Sequence, residues 1–219
     1  LDTASHFIQQ PPEKLARALD HCIETGQLGV KMLEAVPYIY LPDLLEAEED
    51  IAARLAMLTK RGKNTAHGLD KNIQILELTQ GFAYAPLQKE AIRKAMTENC
   101  LVLTGGPGTG KTTIVRAIIT AALQYQLKVR LMAPTGRAAK RLSLSSGVEA
   151  DTIHKALEAE MQDGGSTFFN KNESDQLNED LIIVDEASMM DISLFYHLLS
   201  ALKPSARLIL VGDVDQLPP

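Results

Sequence analysis

Nine consecutive residues, Gly105, Gly106, Pro107, Gly108, Thr109, Gly110, Lys111, Thr112 and Thr113, have the types and spacing of a loop that holds phosphate. Glycines let backbone N–H groups curl around phosphate oxygens, Lys111 brings a positive charge, and the Thr112 hydroxyl is a ligand for Mg²⁺. The loop follows an apolar run, Cys100-Leu101-Val102-Leu103-Thr104, and precedes a helical pattern over 110–126. A strand, a glycine loop and a helix N-terminus in that order form a P-loop in its required setting, so the chain is expected to bind a nucleotide.

Further groups complete that chemistry. Leu181-Ile182-Ile183-Val184 is a β-branched apolar run ending in two acids, with Asp185 the candidate Mg²⁺ ligand beside Thr112 and Glu186 the candidate base for an attacking water. A third apolar run, 208–211, leads through Gly212 and Asp213 to Gln216, whose neutral amide can accept from water and donate to a phosphate oxygen. Gln88 is a candidate reader of the N6 and N7 edge of adenine. Asn170-Lys171-Asn172-Glu173 approaches a guanine-reading motif but has Glu in place of Asp and precedes the acidic strand, so it reads as loop and the nucleotide as ATP.

Positioning these groups requires strands and helices in alternation. From Ile73 onward the pattern gives a helix over 86–96, strands at 101–104, 129–133, 181–184 and 208–211, and helices over 136–143, 151–158 and 192–202. That rhythm predicts an α/β fold, a P-loop parallel sheet with helices on both faces and the ligand at the carboxyl ends of the strands. Upstream, a helix from residue 13, short strands near Val30 and at 38–41, and a charged helix over 44–58 form a small, mainly helical module with a β-ribbon. The stretch 59–71 has linker composition, which divides the chain into 1–72 and 73–219.

The 219 residues are 45% hydrophobic, enough for a buried core, and no apolar run approaches membrane-spanning length. A net charge of −6 argues against a wholly basic nucleic-acid surface, yet no acid occurs between Glu98 and Glu149, where Lys111, Arg116, Arg137, Lys140 and Arg141 fall. Cys22 and Cys100 are too few and too far apart for a zinc site; a reduced, cytoplasmic setting is expected, with Cys100 an inert thiol. The chain opens on Leu1 rather than Met, so a piece of something longer is expected.

Together these segments resemble superfamily 1 helicases, most closely the RecD-like group related to the alpha subunit of exodeoxyribonuclease V. The resemblance rests on Gln88, the loop 105–112, Ala133-Pro134-Thr135-Gly136-Arg137-Ala138-Ala139-Lys140, Thr152-Ile153-His154, Asp185-Glu186-Ala187-Ser188 with Met189-Met190-Asp191, and Gly212-Asp213 to Gln216-Leu217-Pro218. Tyr40-Leu41-Pro42 and the acidic stretch Glu46 to Ile51 resemble the longer, stand-alone type. The resemblance implies a RecA-like motor domain in which Thr135, Arg137, Thr152 and His154 touch the backbone of single-stranded DNA and Gln216 reports the γ-phosphate. It also implies 5′-to-3′ translocation and a second motor domain whose arginines complete the ATP site.

Thr152 as a helix N-cap and His154 as a helix-face residue remain alternatives. With no Trp, the grip on DNA is expected to be mostly electrostatic. Two other functions fit the same residues: a P-loop ATPase that does not unwind, or a binding module without turnover. The acids Glu46, Glu48, Glu49 and Asp50 belong to a module that is either a scaffold or a docking surface for a protein partner.

Overall fold

The computed structural model describes residues 2–60, 67–106, 108–162 and 167–213. Two compact units divide between residues 52 and 53. In the first, α1 (Asp2–Ile8) and α2 (Pro12–Glu24) precede an antiparallel ribbon of β1 (Gly29–Leu33) and β2 (Val36–Tyr40), and α3 (Pro42–Lys60) begins here. Glu34 and Ala35 form the two-residue turn of that ribbon with φ of 49° and 65°, the double left-handed geometry that matches strand twist. Pro12 and Pro42 open their helices, where a missing N–H costs nothing.

The second unit runs α4 (Leu69–Gln80), α5 (Pro86–Thr97), β3 (Cys100–Thr104), α6 (Lys111–Gln124), β4 (Val129–Ala133), α7 (Gly136–Ser146), β5 (Ala150–Thr152), α8 (Ile153–Ala156), β6 (Ala159–Met161), β7 (Thr167–Phe169), β8 (Leu181–Val184), α9 (Ile192–Ser200) and β9 (Arg207–Gly212). Five strands form one sheet in the order β3-β9-β8-β4-β5, parallel at every pairing. Every residue of β8 is fully buried, as a parallel strand covered on both faces must be. Leu181 and Ile183 join a core with Leu131, Ile209 and Val211 against α6, whose Ala117, Ala121 and Ala122 let the helix lie close to the sheet. Ile92, Ala95 and Met96 of α5 and Ile73 and Leu76 of α4 extend this core.

The expected parallel α/β fold is present, with local differences. The segment expected as one helix over 151–158 is instead β5 followed by the single turn of α8, because pairing with Leu131, Met132 and Ala133 captures Ala150, Asp151 and Thr152 as an edge strand. Between α8 and β8 the chain also forms an antiparallel pair, β6 with β7, in which Ala159 pairs with Phe169; residues 163–166 lie outside the described residues. The linker expected over 59–71 contains the end of α3 and the start of α4, and 61–66 lie outside the described residues. The boundary drawn at 72/73 falls inside α4, whose Leu69, Ile73 and Leu76 belong to the same core as the sheet.

Candidate functional site

The phosphate loop leaves the carboxyl end of β3 and enters α6 at Lys111. Gly108 and Gly110 have φ of +77° and +86°, which a side chain would strain, and a Cβ on Gly110 would lie 2.6 Å from Gln88 Nε2. Thr109 Oγ1 donates to the Gly106 carbonyl at 2.9 Å, closing the loop on itself. The opening N–H groups of α6 and the positive end of its dipole are an anion site by construction. Lys111 Nζ donates to the carbonyls of Gly105 and Gly106, the latter at 3.0 Å, and lies 3.9 Å from Asp213 Oδ2. Pro107 is outside the described residues.

A cleft of about 460 Å³ opens at this loop and is shared by Lys111, Thr112, Asp185 and Glu186, residues drawn from the carboxyl ends of β3 and β8. Asp185 is fixed by its N–H, which donates to the Met132 carbonyl at 2.9 Å. Burial pushes the Asp185 carboxyl above the usual carboxylate range; the Glu186 charge adds to this, while the Glu186 backbone N–H, Arg141 and Lys111 oppose it. A half-buried carboxylate and a hydroxyl lining one cleft are hard-oxygen groups, and two such ligands with phosphate oxygens suit Mg²⁺. Among the described residues no cluster of three or more His, Cys, Asp or Glu forms another metal site.

Gln88 lies against the loop: its Oε1 accepts from the Ala85 N–H at 3.0 Å and its Nε2 donates to the Thr109 carbonyl at 3.4 Å. Thr113, one residue beyond the Mg²⁺ candidate, borders a different groove with Gln80, Phe82 and Arg116. Gln216 lies outside the described residues. The Asn170 to Glu173 segment is occupied by its own turn, with Asn172 Oδ1 accepting from the Ser174 N–H at 2.8 Å and Lys171 paired with Asp175 at 2.8 Å. Burial also pushes the Cys100 thiol up, which keeps it protonated and inert.

The four residues expected at DNA stand at the carboxyl ends of β4 and β5, the same edge of the sheet as the cleft. Thr135 caps α7 by accepting from the Ala138 N–H at 3.2 Å, and Thr152 caps α8 by accepting from the Lys155 N–H at 3.1 Å. Each cap uses one lone pair and leaves the hydroxyl proton available. Arg137 and His154 are exposed. Near His154, the buried ring of Phe169 neighbours the rings of His154 and His197, at 5.8 and 4.4 Å, and Tyr196 meets His197 edge-on at 5.1 Å.

Asp213, part of the third motif, is 5% exposed and follows strand β9 as Asp185 follows β8. Two cleft residues, Arg141 and Ser145, lay outside the sequence motifs. Arg141 reaches in from α7 and pairs its Nη2 with Glu186 Oε1, a meeting of residues 45 apart that no local pattern announces.

Residues 1–52 carry ten acids and three bases, a net charge of −7, whereas 53–219 carry 18 acids and 19 bases, a net charge of +1. In the first unit Glu46, Glu48 and Glu49 are exposed, as are Met32, Val36, Tyr38 and Ile39 of the ribbon. No helix among the described residues is long and apolar enough to cross a membrane.

A family model described as an AAA domain matches residues 88–219. The ATP-dependent RecD2 DNA helicase of Deinococcus radiodurans is 35% identical, over 98% of this chain and 30% of that protein. The RecBCD enzyme subunit RecD of Mycolicibacterium smegmatis is 37% identical, over 59% of this chain and 27% of that protein. Of solved structures, a complex of arterivirus nonstructural protein 10 (helicase) with DNA is similar with a TM-score of 0.36 at 15% identity, covering 58% of this chain and 31% of that one. The chain spans about 30% of the length of the curated relatives it matches.

Proposed function

The chain belongs to the AAA domain family, and on that premise we propose that it is the ATP-binding part of a RecD-like, ATP-dependent DNA helicase of the cytoplasm. The observation that carries this reading is the convergence of Lys111, Thr112, Asp185 and Glu186 on one cleft at the carboxyl edge of a parallel sheet. The loop N–H groups and α6 hold the phosphates of ATP, and Gln88 reads the adenine edge from beside the loop. Lys111 exchanges the Gly105 and Gly106 carbonyls and Asp213 for phosphate oxygens, which bring more negative charge than carbonyls do. The Thr112 hydroxyl and Asp185 carboxylate would hold Mg²⁺, which would supply positive charge against that developing on the phosphoryl oxygens. Glu186 takes the proton of the attacking water, and Gln216 carries the state of the γ-phosphate toward the strand site.

Single-stranded DNA crosses Thr135, Arg137, Thr152 and His154, moving 5′ to 3′ as the family resemblance implies. The net charge of 53–219, without the excess acid of 1–52, favours the second unit as the strand's seat. A second motor domain supplies the arginines that complete the site, and such a finger is typically worth about 10³ to 10⁵ in rate. Residues 1–219 tested without those arginines would therefore bind ATP weakly and hydrolyse it poorly. Lys111→Ala in the intact protein tests the reading. Expected are at least a roughly tenfold loss of affinity for a fluorescent ATP analogue and loss of strand-stimulated turnover, with strand binding retained. Wild-type turnover by that variant, or wild-type hydrolysis that single-stranded DNA does not stimulate, would contradict it.

A further inference from the structure

Glu186 does not stand free in the cleft. Its carboxylate is bonded to Arg141 Nη2, its side chain is 16% exposed, and its backbone is held at φ 54°, so it has little room to turn elsewhere. A carboxylate oxygen that accepts from a guanidinium is not presented to a water at the same time, so the contact with Arg141 holds that oxygen away from the place of the attacking water.

Arg141 by contrast is 67% exposed and belongs to α7. It stands four residues after Arg137, so the two guanidiniums share one face of the helix and form a short basic stripe. Ala138, Ala139 and Leu142 are buried and anchor the helix on the opposite side. The stripe thus begins at the exposed carboxyl edge beside Thr135 and ends at the cleft, where both Arg141 and Ser145 line the wall.

We infer that Arg141 is a positioning residue acting through Glu186: without a strand it holds the carboxylate back, and when single-stranded DNA lies on α7 a backbone phosphate takes over its guanidinium and frees Glu186 for the water. The inference rests on the proposed helicase reading. Phosphate is a strong competitor, since it offers the guanidinium two charged oxygens in a matching fork. Exchange of one partner for another forms and breaks only hydrogen bonds, so no further reactant is needed.

Arg141→Ala and Arg141→Lys in the intact protein test it through two readouts. The first is ATP turnover with and without single-stranded DNA. Arg141→Ala should raise strand-free turnover roughly tenfold, leave the KM for ATP within about twofold, and so collapse the stimulation ratio, while Arg141→Lys restores part of that ratio. The second is the slope of log Kd for single-stranded DNA against log salt, which Arg141→Ala should lower by about 0.7, the loss of one phosphate contact. An unchanged stimulation ratio, equal loss of turnover with and without DNA, or an unchanged salt slope would overturn the inference while leaving the ATPase reading intact. Wild-type turnover indifferent to DNA would overturn both.

Discussion

Gln88 shows how one side chain serves the loop before any nucleotide arrives. It caps the start of α5 through the Ala85 N–H, reaches the Thr109 carbonyl, and fills the space that a Cβ on Gly110 would need. Replacing it with Ala removes both contacts and should lower the preference for ATP over GTP by about 5- to 150-fold, the worth of one bidentate base contact. Competition binding with the two nucleotides checks this; equal loss of affinity for both would remove Gln88 from base reading. Its place was legible in the sequence because it stood in a family pattern, as were Lys111, Thr112, Asp185 and Glu186. Arg141 was not, because an arginine on a helix face carries no local sign of a partner in a strand-end turn far along the chain. Thr135 and Thr152 illustrate the intermediate case, since a capping threonine and a phosphate-contacting threonine have the same residue type at the same helix start.

The elements most legible in the sequence were those with a long, clean period. Helix α6 and strand β8 announced themselves through apolar spacing, whereas β5, β6 and β7 have three residues each and show no period at all. Pairing with β4, a tertiary event, makes β5 a strand. The β6–β7 pair brings Phe169 against α9, where burial holds the His197 imidazole below its ordinary value and Asp191 opposes that effect. The folded state thus binds this proton less readily than the unfolded chain. The resulting stability is fully present above the ordinary value of 6.5 and is lost as pH falls through the lowered folded value. Thermal unfolding followed between about pH 7.5 and pH 5 should show a smaller decline in Tm for His197→Phe than for wild type, with the ring contact to Phe169 kept. An identical decline would show that His197 does not carry this pH dependence.

At the scale of the whole molecule, an acidic N-terminal unit and a nearly neutral second unit share one chain, and the overall charge of −6 conceals that division. The parallel sheet brings the loop after β3, the acids after β8 and β9 and the caps after β4 and β5 to a single edge. This is how groups more than a hundred residues apart meet without any long-range sequence signal. In the proposed function this edge hydrolyses ATP with Glu186 as the base. The most direct test of that role is single-turnover hydrolysis by Glu186→Gln in the intact protein, with ATP and single-stranded DNA present. Nucleotide affinity should stay close to wild type while the hydrolysis step slows by about 10²- to 10⁴-fold, the usual worth of a positioned base. Hydrolysis by Glu186→Gln at the wild-type rate would contradict it.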